Sequence, residues 1–205
     1  MSILDWARQV QAIALNGLAF THDQFDRERF QQLRALTDRI LADELGLEAG
    51  QVSGFFAGDE GYITPKVDVR GAVFQAERIL LVRERSDGKW TLPGGWVDVN
   101  DAPSFAVERE IREESGYTAR AIRLAALWDK NQPAHGHPPG IHHIYKLFFI
   151  CELTGGAPAH SNETDGVDFF ALHALPPLSL GRATPSQIAR LFEHMRDPSL
   201  PTDFD

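Results

Sequence analysis

The hydrophobic period of this chain changes partway along, and that change limits what it can fold into. Through about residue 47 apolar residues recur every three to four positions; from Val67 they alternate every second position. The first part therefore reads as helix and the second as strand. Residues 2 to 16 carry Leu4, Ala7, Gln11, Ala14 and Leu15 at helical spacing, with Trp6, Val10 and Ile13 beside them. Ser2 and Asp5 resemble a capping pair. A second helix is expected in "THDQFDRERFQQLRALTDRILADELGL", with Phe25, Phe30, Leu33, Leu36, Ile40 and Leu41 as its apolar stripe and Gly46 at its end. Residues 48 to 66, rich in glycine, read as a linker or irregular hinge. Two helices alone bury little, so they should pack against the main domain or a second copy of the chain.

Beyond the hinge, "VDVRGAVF" and "RILLVRER" read as strands around a short "QAE" turn. "SDGK" is a tight turn, and "WTLPGGWVDV" reads as another extended segment. A helix is expected over residues 102 to 115, then strands at "ARAIRLAALWD", "HIYKLFFICEL" and "VDFFAL". A last helix, "TPSQIARLFEHM", has Thr184 as cap, Pro185 at its first position and Gln187 closing a capping box.

At 205 residues the chain holds one generous domain, or one of ordinary size with an appendage. A net charge of −9 argues against a broad basic surface for long nucleic acid, but not against nucleotides, because a bound divalent cation inverts the local field. The lone Cys151 cannot form an internal disulfide and sits in an apolar run, as a small buried hydrophobe would. With no apolar run long enough to cross a bilayer and no signal-peptide core, a reducing, cytoplasmic setting is expected.

The chemistry concentrates in the middle helix. Glu110, Glu113 and Glu114 stand at i, i+3 and i+4, so helical geometry gathers them on one side, while Val107 and Ile111 anchor another side to a sheet. Like charges so close repel unless water or a cation intervenes. Carboxylate oxygens suit hard cations, Mg²⁺ or Mn²⁺, rather than zinc. The preceding "PGG" can bend sharply, and Gly116 is placed to end the helix.

Written out, the stretch is Gly95, five residues, Asp101, seven residues, Arg109-Glu110-Ile111, one residue, Glu113-Glu114, one residue, Gly116-Tyr117. This is similar to the signature of the Nudix hydrolases, with Asp101 where the family usually has glutamate and Tyr117 where it more often has an aliphatic residue. The resemblance implies an α+β fold: a Nudix-type α/β/α sandwich with a mixed sheet over residues 63–205, plus an amino-terminal two-helix region over residues 1–62. It implies Mg²⁺- or Mn²⁺-dependent hydrolysis of a nucleoside diphosphate linked to another moiety, giving a nucleoside monophosphate and a phosphorylated remainder. Glu113 and Glu114 would be the principal metal ligands, with Glu110 as third ligand or general base and the Gly95 carbonyl as a further ligand. Arg109 would orient the acidic residues through Asp101. The helical start, "DGKWTLPGGWVDV", "LWDKNQ" and "LPPLSLGRATPSQI" together resemble the subfamily acting on CDP-choline or ADP-ribose-like substrates, in which the amino-terminal helices build a homodimer.

Residues outside the signature offer further candidates. Of Glu163 and Asp165, Glu163 is the better candidate for a base, with a solvated loop carboxylate as the plainer and stronger reading. One of Arg70, Arg83 and Arg85 is expected to touch a phosphate, the others forming ion pairs. Trp90 and Trp96 flank the "LPGG" turn, suited to base stacking or to packing. The loop holding His135, His137, His142 and His143 reads as a flexible substrate cover beginning at Asp129 and Lys130, better than as a zinc site. Nucleoside triphosphate or RNA-end hydrolysis, or a non-catalytic ligand sensor, are the competing functions.

Overall fold

A computed structural model describes residues 2–59 and 61–205. The chain divides into two compact units: Met1–Pro65 with Pro139–His143, and Lys66–Pro138 with Ile144–Asp205.

The first unit is helical. Helix α1, Ile3–Phe20, opens on the expected Ser2–Asp5 capping box and runs four residues beyond the reach of the sequence pattern. Helix α2, Gln24–Leu45, is capped by the Asp23 side chain and ends at Gly46, whose φ of 65° a glycine adopts without strain. The expected hinge is instead partly ordered as α3, Ala49–Phe55. The Gln51 side chain caps the Glu48 N–H, and Val52 and Phe56 enter the core, which offsets the low helix propensity of the glycines.

That core gathers Leu4, Ala7, Leu15, Leu41, Ala42, Val52 and Phe56, with Ile141 packed against it. The stripe expected on α2 is largely outside it: Phe25, Leu33 and Leu36 are exposed, and the Phe30 ring lies over Gly17, where a methyl group would collide with it. Polar groups occupy part of the α1–α2 seam in their stead. Gln11 donates to Asp38 at 2.8 Å, Thr37 donates to Gln11, and Ser53 donates to the other Asp38 oxygen at 2.6 Å. A satisfied buried network of this kind fixes helix register.

The second unit is a mixed sheet between helices. Strands β1 (Lys66–Gln75), β2 (Arg78–Glu84), β3 (Trp90–Thr91), β4 (Tyr117–Asp129), β5 (Ile144–Gly156) and β7 (Asp203–Phe204) lie in the order β3-β2-β1-β5-β4-β7. Strand β6, Thr164–Phe170, pairs with β2. β1 runs parallel to β5, and β4 antiparallel to β5. Helix α4, Pro103–Ser115, buries Ala106, Val107 and Ile111 in a cluster with Val69, Val73 and Leu80. Helix α5, Pro185–Arg196, buries Ile188, Leu191 and Phe192 in a separate cluster with Ile79, Leu81 and Phe148. Alternate residues of β2 thus point to opposite helices, the outcome of a period-two pattern. The unit is an α/β/α sandwich of the α+β class.

Local outcomes differ from the expected elements at two places. In "WTLPGGWVDV" the strand is confined to Trp90–Thr91; the remainder is a turn docked on β1, with Val69 N–H donating to the Gly95 carbonyl and Gly71 N–H to the Pro93 carbonyl. The short β7 carried no pattern long enough to read. Among the described residues no helix is long and apolar enough to cross a membrane. Cys151 is buried, and burial pushes its thiol up to about 12.

Candidate active site

The "LPGG" turn and the last two turns of α4 face each other. Gly94 has φ 143°, and a Cβ there would lie 2.0 Å from the Val69 carbonyl oxygen, so the turn sits as close to β1 as a bare backbone allows. This closeness aims the Gly94 N–H at Glu114, whose Oε2 accepts it at 2.8 Å. The Glu110 carboxylate lies over Gly95, its Oε2 3.3 Å from where a Cβ would stand. At the far end Gly116, φ 76°, stops the helix where a Cβ would strike the Ala157 carbonyl.

The three signature glutamates therefore differ. Glu110 and Glu114, one helical turn apart, converge on the glycines; Glu113 turns outward, its side chain 53 % exposed and paired with Arg109 at 3.5 Å. Arg109 joins four carboxylates: Glu110 at 2.9 Å, Asp98 at 3.2 Å, Asp101 at 3.3 Å and Glu113. The shorter Asp101 thus still reaches it. The Gly95 carbonyl already accepts from Val69 but keeps a second lone pair.

Burial dominates the electrostatics. It raises Glu114 to about 8, against the opposing pull of Arg70 and the Gly94 N–H, with Glu84 and Glu110 pushing it further up. Glu110 is raised too, first by burial and then by Glu113 and Glu163, although Arg109 opposes this. Burial and mutual repulsion thus work against the charged forms of both carboxylates, a cost that a bound cation would offset.

The remaining candidates are placed as follows. Glu163 is exposed, but its neighbour Thr164 donates to the Glu114 carbonyl at 2.6 Å, which holds the 161–164 turn against the end of α4. Arg83 pairs with Asp165 at 2.7 Å and lies 5.9 Å from the Trp90 ring centre, and Arg85 donates to the Ser161 carbonyl at 3.2 Å. Arg70 is buried and engaged by Asp68 and the Leu92 carbonyl, so it presents no open face to a phosphate. Trp96 is 47 % exposed, its backbone bridged to Asp68. Trp90 meets Phe170 edge-on, a packing role. The Asp129 N–H donates to Asp205.

The loop histidines separate. His135 pairs with Asp205 at 2.9 Å, His137 meets the Leu180 carbonyl, and His142 sits edge-on to Phe55 and Phe56. Within this loop Pro139–His143 belongs to the helical unit, and the residues before and after it to the sheet unit. Sequence reading missed Asp68 and Lys146, which form an ion pair at 2.5 Å, and Glu84, paired with Arg182 at 3.0 Å. Asp68 and Arg70 at i and i+2 inside an apolar strand were the available signal, because that spacing puts both on one face.

Comparison with known proteins adds to this geometry. The family model described as a NUDIX domain matches residues 64–192. The chain belongs to the Nudix family. A second model, described as a UDP-X-like, N-terminal oligomerisation domain, matches residues 1–56. A Bacillus subtilis relative, provisionally named an ADP-ribose pyrophosphatase, is 44% identical over 202 residues, covering 98% of this chain and 96% of its own. The crystal structure of a Streptococcus suis ADP-ribose pyrophosphatase is 42% identical with a TM-score of 0.62, covering 69% of this chain and 100% of that one. The structure of a UDP-X diphosphatase is 32% identical with a TM-score of 0.64 over 99% and 98% of the two chains. This protein is accordingly a Nudix hydrolase.

Proposed function

We propose that this Nudix hydrolase is a divalent-cation-dependent pyrophosphohydrolase of nucleoside diphosphate conjugates, of the ADP-ribose or UDP-linked type. The observation that carries the reading is the convergence of Glu110 and Glu114 on the Gly94–Gly95 turn, with Glu163 beside the same helix end. The names of the full-length relatives favour ADP-ribose or a UDP conjugate over CDP-choline.

The donors suit Mg²⁺ or Mn²⁺ in kind, since all are oxygens. Among the described residues no three acidic or histidine side chains are already gathered as a ligand set. Glu110, Glu114 and the Gly95 carbonyl would hold the cation, with Glu113 joining by a rotamer change. When bound it would neutralise phosphate oxygens and acidify water.

The residues of the chain do the rest. Water adds across the P–O–P bridge: its oxygen bonds one phosphorus, the bridging oxygen leaves on the other, and a carboxylate takes the released proton. Glu163, exposed beside the helix end, is the base in this reading, and Glu110 the other candidate. Arg109 holds Glu110 and Glu113 in place through its contacts. Arg83, half-exposed beside Trp90, would meet phosphate, with its Asp165 pair opening to do so; the exposed Arg85 and the half-buried Asp129 border the same end of the sheet. Trp96 is a stacking surface for the base.

The helical unit suits a homodimer, since Ile3, Trp6, Ile13 and Phe20 of α1 and Phe25, Leu33 and Leu36 of α2 are exposed in one chain. The lone buried Cys151 suits a reducing, cytoplasmic setting.

The test is release of nucleoside monophosphate from ADP-ribose, UDP-sugars, CDP-choline and nucleoside triphosphates, with and without Mg²⁺. ADP-ribose or a UDP conjugate should lead by at least about tenfold in kcat/KM. Faster hydrolysis of triphosphates would overturn the substrate class, and turnover unaffected by chelator would overturn the cation.

A further inference from the structure

A chain of charges is buried beneath the glycine turn. Lys146 on β5 is 2 % exposed and its Nζ donates to Asp68 Oδ1 at 2.5 Å. Asp68 on β1 stands directly opposite it in the parallel register. Arg70 donates Nε to Asp68 Oδ1 at 3.0 Å and Nη2 to Oδ2 at 2.7 Å, which leaves Nη1 to donate to the Leu92 carbonyl at 3.1 Å.

We propose that Lys146 is a positioning residue of the hydrolytic site, acting through Asp68 and Arg70 to hold the Leu92–Trp96 turn under Glu110 and Glu114. This rests on the function proposed above. Geometry runs in one direction along the chain. The guanidinium is planar, so a carboxylate gripping its Nε–Nη2 edge fixes where Nη1 points. Lys146 in turn fixes that carboxylate. Arg70 then secures Leu92, β1 backbone groups secure Pro93 and Gly95, and the Gly94 N–H is left facing Glu114.

An ordinary structural ion pair does not account for the arrangement. Burying three charges carries a large desolvation cost, and apolar residues of similar volume commonly serve a core as well or better. The chain of contacts here instead terminates at a backbone carbonyl of the turn, that of Leu92. A shift of about 1 Å in that turn would move the atoms beside both glutamates, and misplacement on that scale costs about a hundredfold in rate.

The experiment compares Lys146→Met with wild type by amide hydrogen exchange and steady-state kinetics. The Gly94 amide and the Gly71 amide, which donates to Pro93, should exchange at least about tenfold faster, with Leu191 and Phe192 of α5 unchanged. The kcat should fall at least about tenfold with KM within about threefold, and Lys146→Arg should recover part of the loss. Uniform acceleration throughout the sheet unit would mean a merely structural role and overturn the proposal, as would wild-type exchange in the turn. Should Lys146→Met not fold, Arg70→Lys keeps the charge but loses the fork, and must free the turn in the same pattern; if the turn stays protected, the proposal fails. Because exchange needs no substrate, this outcome is separable from failure of the functional reading, which the wild-type substrate screen decides alone.

Discussion

Glu114→Gln should strengthen the cation-free protein at high pH while abolishing turnover. Glu114 is 5 % exposed and burial raises it to about 8. Between its ordinary value of 4.5 and about 8 the folded chain keeps a proton that the unfolded chain has released, so stability falls as pH rises through that window. At about 1.4 kcal/mol per pH unit the full loss reaches a ceiling of about 5 kcal/mol, and about 3 kcal/mol is already lost at pH 7. Glutamine has no such proton, and its amide oxygen still accepts from Gly94. The assay is urea unfolding after chelation at pH 5, 6, 7 and 8, followed by Trp90, Trp96 and Trp128 fluorescence in a Trp6→Phe background, so that the sheet unit is read alone. The variant's advantage should grow by several kcal/mol from pH 5 to pH 8. Saturating Mg²⁺ should then stabilise the parent, by about 2.7 kcal/mol at a hundred times its dissociation constant, and not the variant. Parallel pH profiles for the two proteins would refute the burial argument, and full turnover by the variant would remove Glu114 from the site.

Two further outcomes follow from particular contacts. Gly94→Ala puts a methyl group 2.0 Å from the Val69 carbonyl, so the turn must lift from β1; a loss of roughly 2–4 kcal/mol in urea unfolding and near-complete loss of turnover are expected, and an unchanged midpoint would show the turn to be loose. Trp6→Glu with Ile13→Glu charges two side chains that are 57 % and 59 % exposed, so light scattering should report one chain where the parent shows two, with the helical content unchanged; a mass that stays at two chains would move the interface elsewhere.

Much of this architecture was legible because its signals are local. The capping boxes at Ser2 and Thr184 and the period-two strands need no distant partner to be read. The glutamate-bearing helix α4 was legible for the same reason, and Val107 and Ile111 pack as their spacing requires. What stayed hidden depends on pairings between distant segments. Period alone could not tell that Phe25, Leu33 and Leu36 of α2's stripe are exposed while Gln11, Thr37 and Asp38 fill part of the seam, because a helix shows its stripe and not what covers it. The Lys146–Asp68 pair spans 78 residues of sequence and exists only because β1 and β5 lie side by side. Arg70 stood beside Arg83 and Arg85 as one of three arginines that could meet a phosphate, since a charged residue on a strand says nothing about which face is covered.

The segment from Pro139 to His143 has a consequence for modularity. The sheet unit's chain leaves at Pro138 and resumes at Ile144, and the five residues between them lend Ile141 to the helical core, accept Arg8's guanidinium at the Gly140 carbonyl and set His142 against two phenylalanines. The two units are thus not successive stretches of the chain. A sheet-unit fragment cut away before residue 66 would still carry a peptide shaped for a missing host, and a replacement helical module would have to bring a matching cradle for it.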